Sequence, residues 1–190
     1  ICGTSVGGAI ALGCATLGVE GRAKPSKTYG QRWLVAGAAQ GEDGLVERPL
    51  DGRVVVVTGA ARGIGAAIAR TLARDGASIV AIDIPPAGEA LAAVANEVGG
   101  TALQLDITAT DAGQRIAAHV AQRGESIYGI VHNAGITRDK MLVNTDAERW
   151  RSVLDVNLAA QMRINEVLLD PATAGGLADG GRVVGIASTS

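Results

Sequence analysis

Arg53-Val54-Val55-Val56-Val57-Thr58-Gly59-Ala60-Ala61-Arg62-Gly63-Ile64-Gly65 is the stretch that decides the fold. An unbroken valine run is the pattern of a strand buried on both faces, as in a parallel sheet. A Gly-rich turn follows at once. After it, Ile64, Ile68 and Leu72 recur at helical spacing as far as Asp75-Gly76, where glycine can take the left-handed conformation that ends a helix. Strand, turn and helix in this order place the glycines where a dinucleotide pyrophosphate would lie. Gly59 permits the tight turn, Gly63 lets backbone N–H groups approach phosphates at the positive end of the helix, and Gly65 lets the helix pack close to the strand. Gly59, Ala61, Arg62, Gly63, Ile64 and Gly65 are the candidate phosphate-binding residues.

Working outward, the unit repeats. Ser78–Ile84 reads as a second apolar strand, 89–98 as a helix, Thr101–Leu105 as a third strand and 111–122 as a helix. Ile127–His132 makes a fourth strand, 146–169 a long helix that Thr145 can cap, and 182–187 a fifth strand. Such alternation predicts parallel strands joined by right-handed crossovers, hence an α/β, doubly wound sheet. Asp83, at the end of the second strand, can accept hydrogen bonds from an adenosine ribose and would repel a 2′-phosphate; the alternative is a solvated strand-end carboxylate. Arg62 would instead attract that phosphate, yet NADH is expected to be preferred over NADPH.

Composition limits the remaining classes. The chain has 190 residues, 47% hydrophobic but only 2% aromatic, so the core must be built from Ala, Val, Ile and Leu around abundant Gly. A net charge of −2 without a dense Lys/Arg run predicts neither a nucleic-acid nor a membrane partner. Cys2 and Cys14 share no metal-site spacing with each other or with a His. No metal is expected, and a chain without a disulfide framework fits the cytoplasm. Residues 1–49, an apolar segment followed by a Gly- and Pro-punctuated linker, read as the remnant of an upstream domain, and 50–190 as the dinucleotide-binding part of the next.

Several further stretches resemble the short-chain dehydrogenase/reductase family. The spacing of Gly59, Gly63 and Gly65 is similar to the family's. Leu105-Asp106-Ile107 matches the place where an Asp contacts adenine, although Asp106 or Thr108 could equally cap the start of the helix. His132-Asn133-Ala134-Gly135 resembles the family's Asn-Asn-Ala-Gly, with His132 in place of the first Asn and best read as an ordinary strand-end residue. Asn133 then ties neighbouring strands together, and Ala134 and Gly135 leave room for the cofactor. Asn133 through Asp139, with Trp150, Val153 and Val156-Asn157-Leu158, is similar to the 3-oxoacyl-(acyl-carrier-protein) reductase branch.

The resemblance implies a Rossmann-like fold and NADH-dependent reduction of a 3-oxoacyl thioester, on acyl-carrier protein or coenzyme A, in fatty-acid type metabolism by a homodimer or homotetramer. It implies that Asn157 disturbs its helix and holds a water in a proton relay; a solvent-facing polar residue is the alternative. It also implies that Ser188 hydrogen-bonds the substrate carbonyl, with Thr189 and Ser190 as rivals. The family's Tyr-x-x-x-Lys motif follows that Ser. Tyr29, Lys27 and Tyr128 stand in the wrong places to replace it, so the sheet is expected to be incomplete on its C-terminal side and the chain to be part of a longer protein. A non-catalytic nucleotide-binding module, or a polyol or steroid dehydrogenase, is the alternative function. Trp150 reads as a packing anchor, and His119 as a surface or satisfied helical residue.

Overall fold

The computed structural model describes residues 48–137 and 146–187. Its elements run β1 (Val54–Thr58), α1 (Gly63–Arg74), β2 (Ser78–Asp83), a short 3-10 turn, α2 (Gly88–Glu97), β3 (Thr101–Gln104), α3 (Ala112–Ala121), β4 (Ile127–His132), α4 (Ala147–Leu154), a π turn (Asp155–Ala159), α5 (Ala160–Leu168) and β5 (Leu177–Gly185). The strands form one parallel sheet in the order β3-β2-β1-β4-β5. That order reverses at β1, the place where doubly wound sheets open a crevice at their carboxyl ends.

Alternation along β1 and β2 divides the core into two layers. Val54, Val56, Val80 and Ile82 face Ile116, Val120, Ile164 and Leu168 of α3 and α5. Val55, Val57, Ile79 and Ala81 face Ile68, Leu91 and Val94 of α1 and α2. Burial on both sides explains why these strands are continuously apolar.

Two elements and two residues differ from what the sequence predicts. The helix foreseen over 146–169 is interrupted by the π turn, and Asp146 caps it, its carboxylate accepting from the Arg149 N–H at 2.8 Å; Thr145 lies outside the described residues. The fifth strand starts at Leu177 instead of 182. Ile127 stands opposite Leu177 and Gly129 opposite Arg182, so extra residues are looped into β5 around Gly180, whose φ of +71° suits glycine. Trp150 is no packing anchor: it is 53% exposed, because it lies on the outer face of α4. Ile64 is also exposed, leaving Ile68 and Leu72 to face the sheet. His119 is hydrogen-bonded to Thr101 across α3 and β3.

Candidate nucleotide site

Thr58, fully buried at the end of β1, is the hub of the crevice. Its Oγ1 accepts the N–H groups of Asn133 (3.0 Å) and Ala134 (3.1 Å) and donates to the Val131 carbonyl (3.4 Å). The Asn133 amide Nδ2 donates back to the carbonyls of Thr58 (3.0 Å) and Gly59 (3.1 Å). The end of β4 is thereby fastened to the start of the Gly-rich turn. Gly59 takes φ +67° there, and its pro-side-chain position lies 2.9 Å from the Ala134 Cα, so the turn admits no larger residue.

Asp83 fastens the other side of the turn. Its Oδ2 accepts the Ala61 N–H at 3.0 Å and its Oδ1 accepts the N–H of Ile84 at 2.9 Å. The carboxylate thus stands, half-buried, at the rim beside the turn, oriented by two backbone donors. Arg62, with extended backbone, precedes α1 and supplies no side-chain cap. The N–H groups of the first turn have no partner within a helix and carry the positive end of its dipole. At Gly63 (φ +57°) a Cβ would have nothing within 4 Å. Uncapped donors, a small-residue approach and a rim carboxylate fit a dinucleotide's pyrophosphate and ribose.

Asp106 Oδ1 accepts both the N–H (2.9 Å) and the Oγ1–H (2.7 Å) of Thr108, which makes it the organiser of the loop after β3; Asp111, not Asp106, precedes α3. The Ile107 side chain is buried in the core, so its backbone is what a ligand could meet. Asn157 sits in the π turn, where helix hydrogen bonding is locally shifted. Its Oδ1 accepts the Ile136 N–H (2.8 Å) and its Nδ2 donates to the Ile136 carbonyl (2.9 Å). It stands over Gly135, whose pro-side-chain position is 3.3 Å from Asn157 Oδ1. Asn157 is exposed to solvent, and its amide at the same time clamps the segment after β4. Ser188 lies outside the described residues, as do Arg138 and Asp139.

His132, read from sequence as an ordinary strand end, is 1% exposed. Its Nε2 meets Asn165 Oδ1 at 2.8 Å, and its Nδ1 is buried without a hydrogen-bond partner. Burial holds the imidazole below the usual histidine range, only partly opposed by the Asn165 bond. Above a pH of about 6.5 it is neutral folded or unfolded; below that the unfolded chain takes up the proton first, so acidification destabilises the fold. His132→Asn should flatten this dependence. Denaturation midpoints followed from about pH 7.5 to 5 should fall more steeply for the natural protein, by up to about 1.4 kcal/mol per pH unit. Equal slopes would sink the assignment.

The fold and crevice define an α/β nucleotide-binding protein of the doubly wound type. The chain belongs to the short-chain dehydrogenase family, whose model matches residues 53–190. It is 37% identical to the 3-oxoacyl-(acyl-carrier-protein) reductase FabG of Pseudomonas aeruginosa, over 73% of this chain and 56% of that protein. It is 34% identical to FabG of Thermotoga maritima, over 63% of this chain and 50% of that one. A solved short-chain dehydrogenase structure from Pseudomonas syringae superimposes with a TM-score of 0.60 at 32% identity, covering 65% of this chain and 53% of the other. The chain spans about half the length of the curated relatives it matches. The family implies an NAD(P) cofactor. Among the described residues no helix is long and apolar enough to cross a membrane.

Proposed function

We propose that the protein reduces a 3-oxoacyl thioester, carried on acyl-carrier protein or coenzyme A, to the 3-hydroxyacyl thioester with NADH. The observation that carries this reading is the convergence, at the carboxyl end of β1, of the uncapped α1 terminus, the Asp83 carboxylate and the Asn133 clamp, with Asn157 beside Gly135. Gly59, Ala61, Arg62, Gly63, Ile64 and Gly65 would cradle the pyrophosphate, Asp83 the adenosine ribose, and Asp106 and Ile107 the adenine. Asn133, Ala134 and Gly135 would floor the nicotinamide side, which supplies the reducing equivalent when the dinucleotide is bound.

Ser188 would hydrogen-bond the substrate carbonyl. With Ile136 holding the Asn157 amide in place, a group of Asn157 that a relay water could meet is its main-chain carbonyl. Gln161 Nε2 donates to that oxygen at 2.8 Å, and a carbonyl has a second lone pair for a water. Trp150, Leu154, Leu158 and Met162 recur at every fourth residue and are exposed, which supports a homodimer or homotetramer closing over the outer face of α4 and α5.

The test is steady-state oxidation of NADH and, separately, NADPH by the full-length protein with acetoacetyl-coenzyme A. NADH should be preferred, and Asp83→Ala should lower kcat/KM for NADH by about tenfold or more, the loss of about 1.4 kcal/mol. Nucleotide binding without turnover would favour the non-catalytic module, and faster turnover with NADPH would assign the selectivity to Arg62.

A further inference from the structure

We propose that Arg163 is a positioning residue that couples the adenine end of the nucleotide site to Asn157; this rests on the nucleotide reading above. A chain of polar contacts joins the two. Asp106 Oδ1 holds the Thr108 N–H and hydroxyl, and the Thr108 carbonyl accepts from Arg163 Nη2 at 3.2 Å. The same Nη2 donates to Asp155 Oδ1 at 2.9 Å. Asp155 is the first residue of the π turn, and Asn157, two positions on, is the residue bonded to Ile136 in both directions.

Apolar packing already sets these segments side by side, since Ile107 belongs to the same core layer that Val156 packs against. Apolar contact carries no direction, however, and would tolerate a small slide of one segment past the other. The guanidinium supplies the directional tie. Its stem crosses from α5 to the loop after β3, its Nε is buried without a hydrogen-bond partner, and one nitrogen serves both acceptors. A half-exposed Arg–Asp pair contributes little to stability by itself. An Arg that also reaches a backbone carbonyl 55 residues away instead fixes where the π turn sits relative to that loop. A π turn bonds i to i+5, one residue further than the helix around it, so it interrupts the helix's own ladder, and the Arg163 tie holds it from outside.

Hydrogen exchange at the Ile136 amide reads this coupling, because that N–H is held by Asn157. In the full-length protein, AMP, which carries the adenine end and no nicotinamide, should slow exchange at Ile136 by about tenfold, within the usual span of couplings between sites. In Arg163→Met, which keeps an apolar stem, and in Asp155→Asn, which weakens the tie from its other end, AMP should still bind, but the slowing should drop below about twofold. A merely structural role for Arg163 would change the exchange rate without AMP and leave the AMP effect intact. That result, or the absence of slowing in the natural protein while AMP binds, overturns the coupling. No binding of AMP by the natural protein overturns the nucleotide reading and the coupling with it. The second variant decides the matter if Arg163→Met does not fold.

Discussion

Gly65→Ala is expected to weaken dinucleotide binding and to lower the denaturation midpoint. Gly65 has no unusual backbone angle, so the effect is one of space alone. A methyl there would run into the Gly59 carbonyl oxygen and lie 2.6 Å from Asn133 Nδ2, the amide that bonds that same carbonyl. Neither neighbour is the end of a flexible chain. One is backbone, and the other is held by two hydrogen bonds. The turn must open or α1 must withdraw, and either movement takes the first-turn donors away from a pyrophosphate. Overpacking of this kind costs about 1 to 3 kcal/mol of stability. Titration of NADH into the folded variant should show affinity weakened at least about tenfold, about 1.4 kcal/mol. Unchanged affinity would mean that the Gly-rich turn is not the pyrophosphate seat.

Thr58→Val should be the other severe change. Valine has the shape of threonine and lacks the hydroxyl, so packing is kept while the N–H groups of Asn133 and Ala134 lose their acceptor. Leaving two part-buried donors without an acceptor costs about 1 kcal/mol or more for each. Thr58→Ser keeps the oxygen and should lose much less. Urea denaturation of the two variants makes the comparison, and equal stabilities would remove Thr58 from the centre of the site. The same pair should differ in nucleotide affinity, because the clamp that Thr58 organises also orients the Gly59 carbonyl.

These two positions differ in how far the sequence reveals them. Gly65 is legible because its neighbours in the chain explain it: a valine strand before it and an apolar helix after it leave one place where the two must pack closely. Thr58 is read only as the end of a strand. Its role is set by Asn133 and Ala134, 75 and 76 residues away, and by β4 lying parallel beside β1. A similar contrast holds at the long helix. The asparagine within it is conspicuous, but nothing local announces that its amide closes on Ile136, or that Asp155 and Arg163 flank it in contact. His132, a strand-end residue by its place in the sequence, is likewise not announced locally. It is buried because β5 and α5 cover it, the main-chain carbonyl of His132 accepting from Ile186 and its imidazole meeting Asn165.

By itself, the amino-acid sequence determined the alternation of strands and helices, the parallel sheet and the phosphate turn. Each follows from the period of apolar residues and the freedom of glycine, properties expressed within a few neighbouring residues. Only the tertiary structure decided what the polar side chains do. Asp83 orients the Ala61 N–H from 22 residues away, Asn157 grips Ile136 from 21, and Arg163 reaches Thr108 from 55. A hydrogen bond has its meaning in distance and angle between two groups, and distances across the fold are set by packing of the whole sheet, not by the residues on either side.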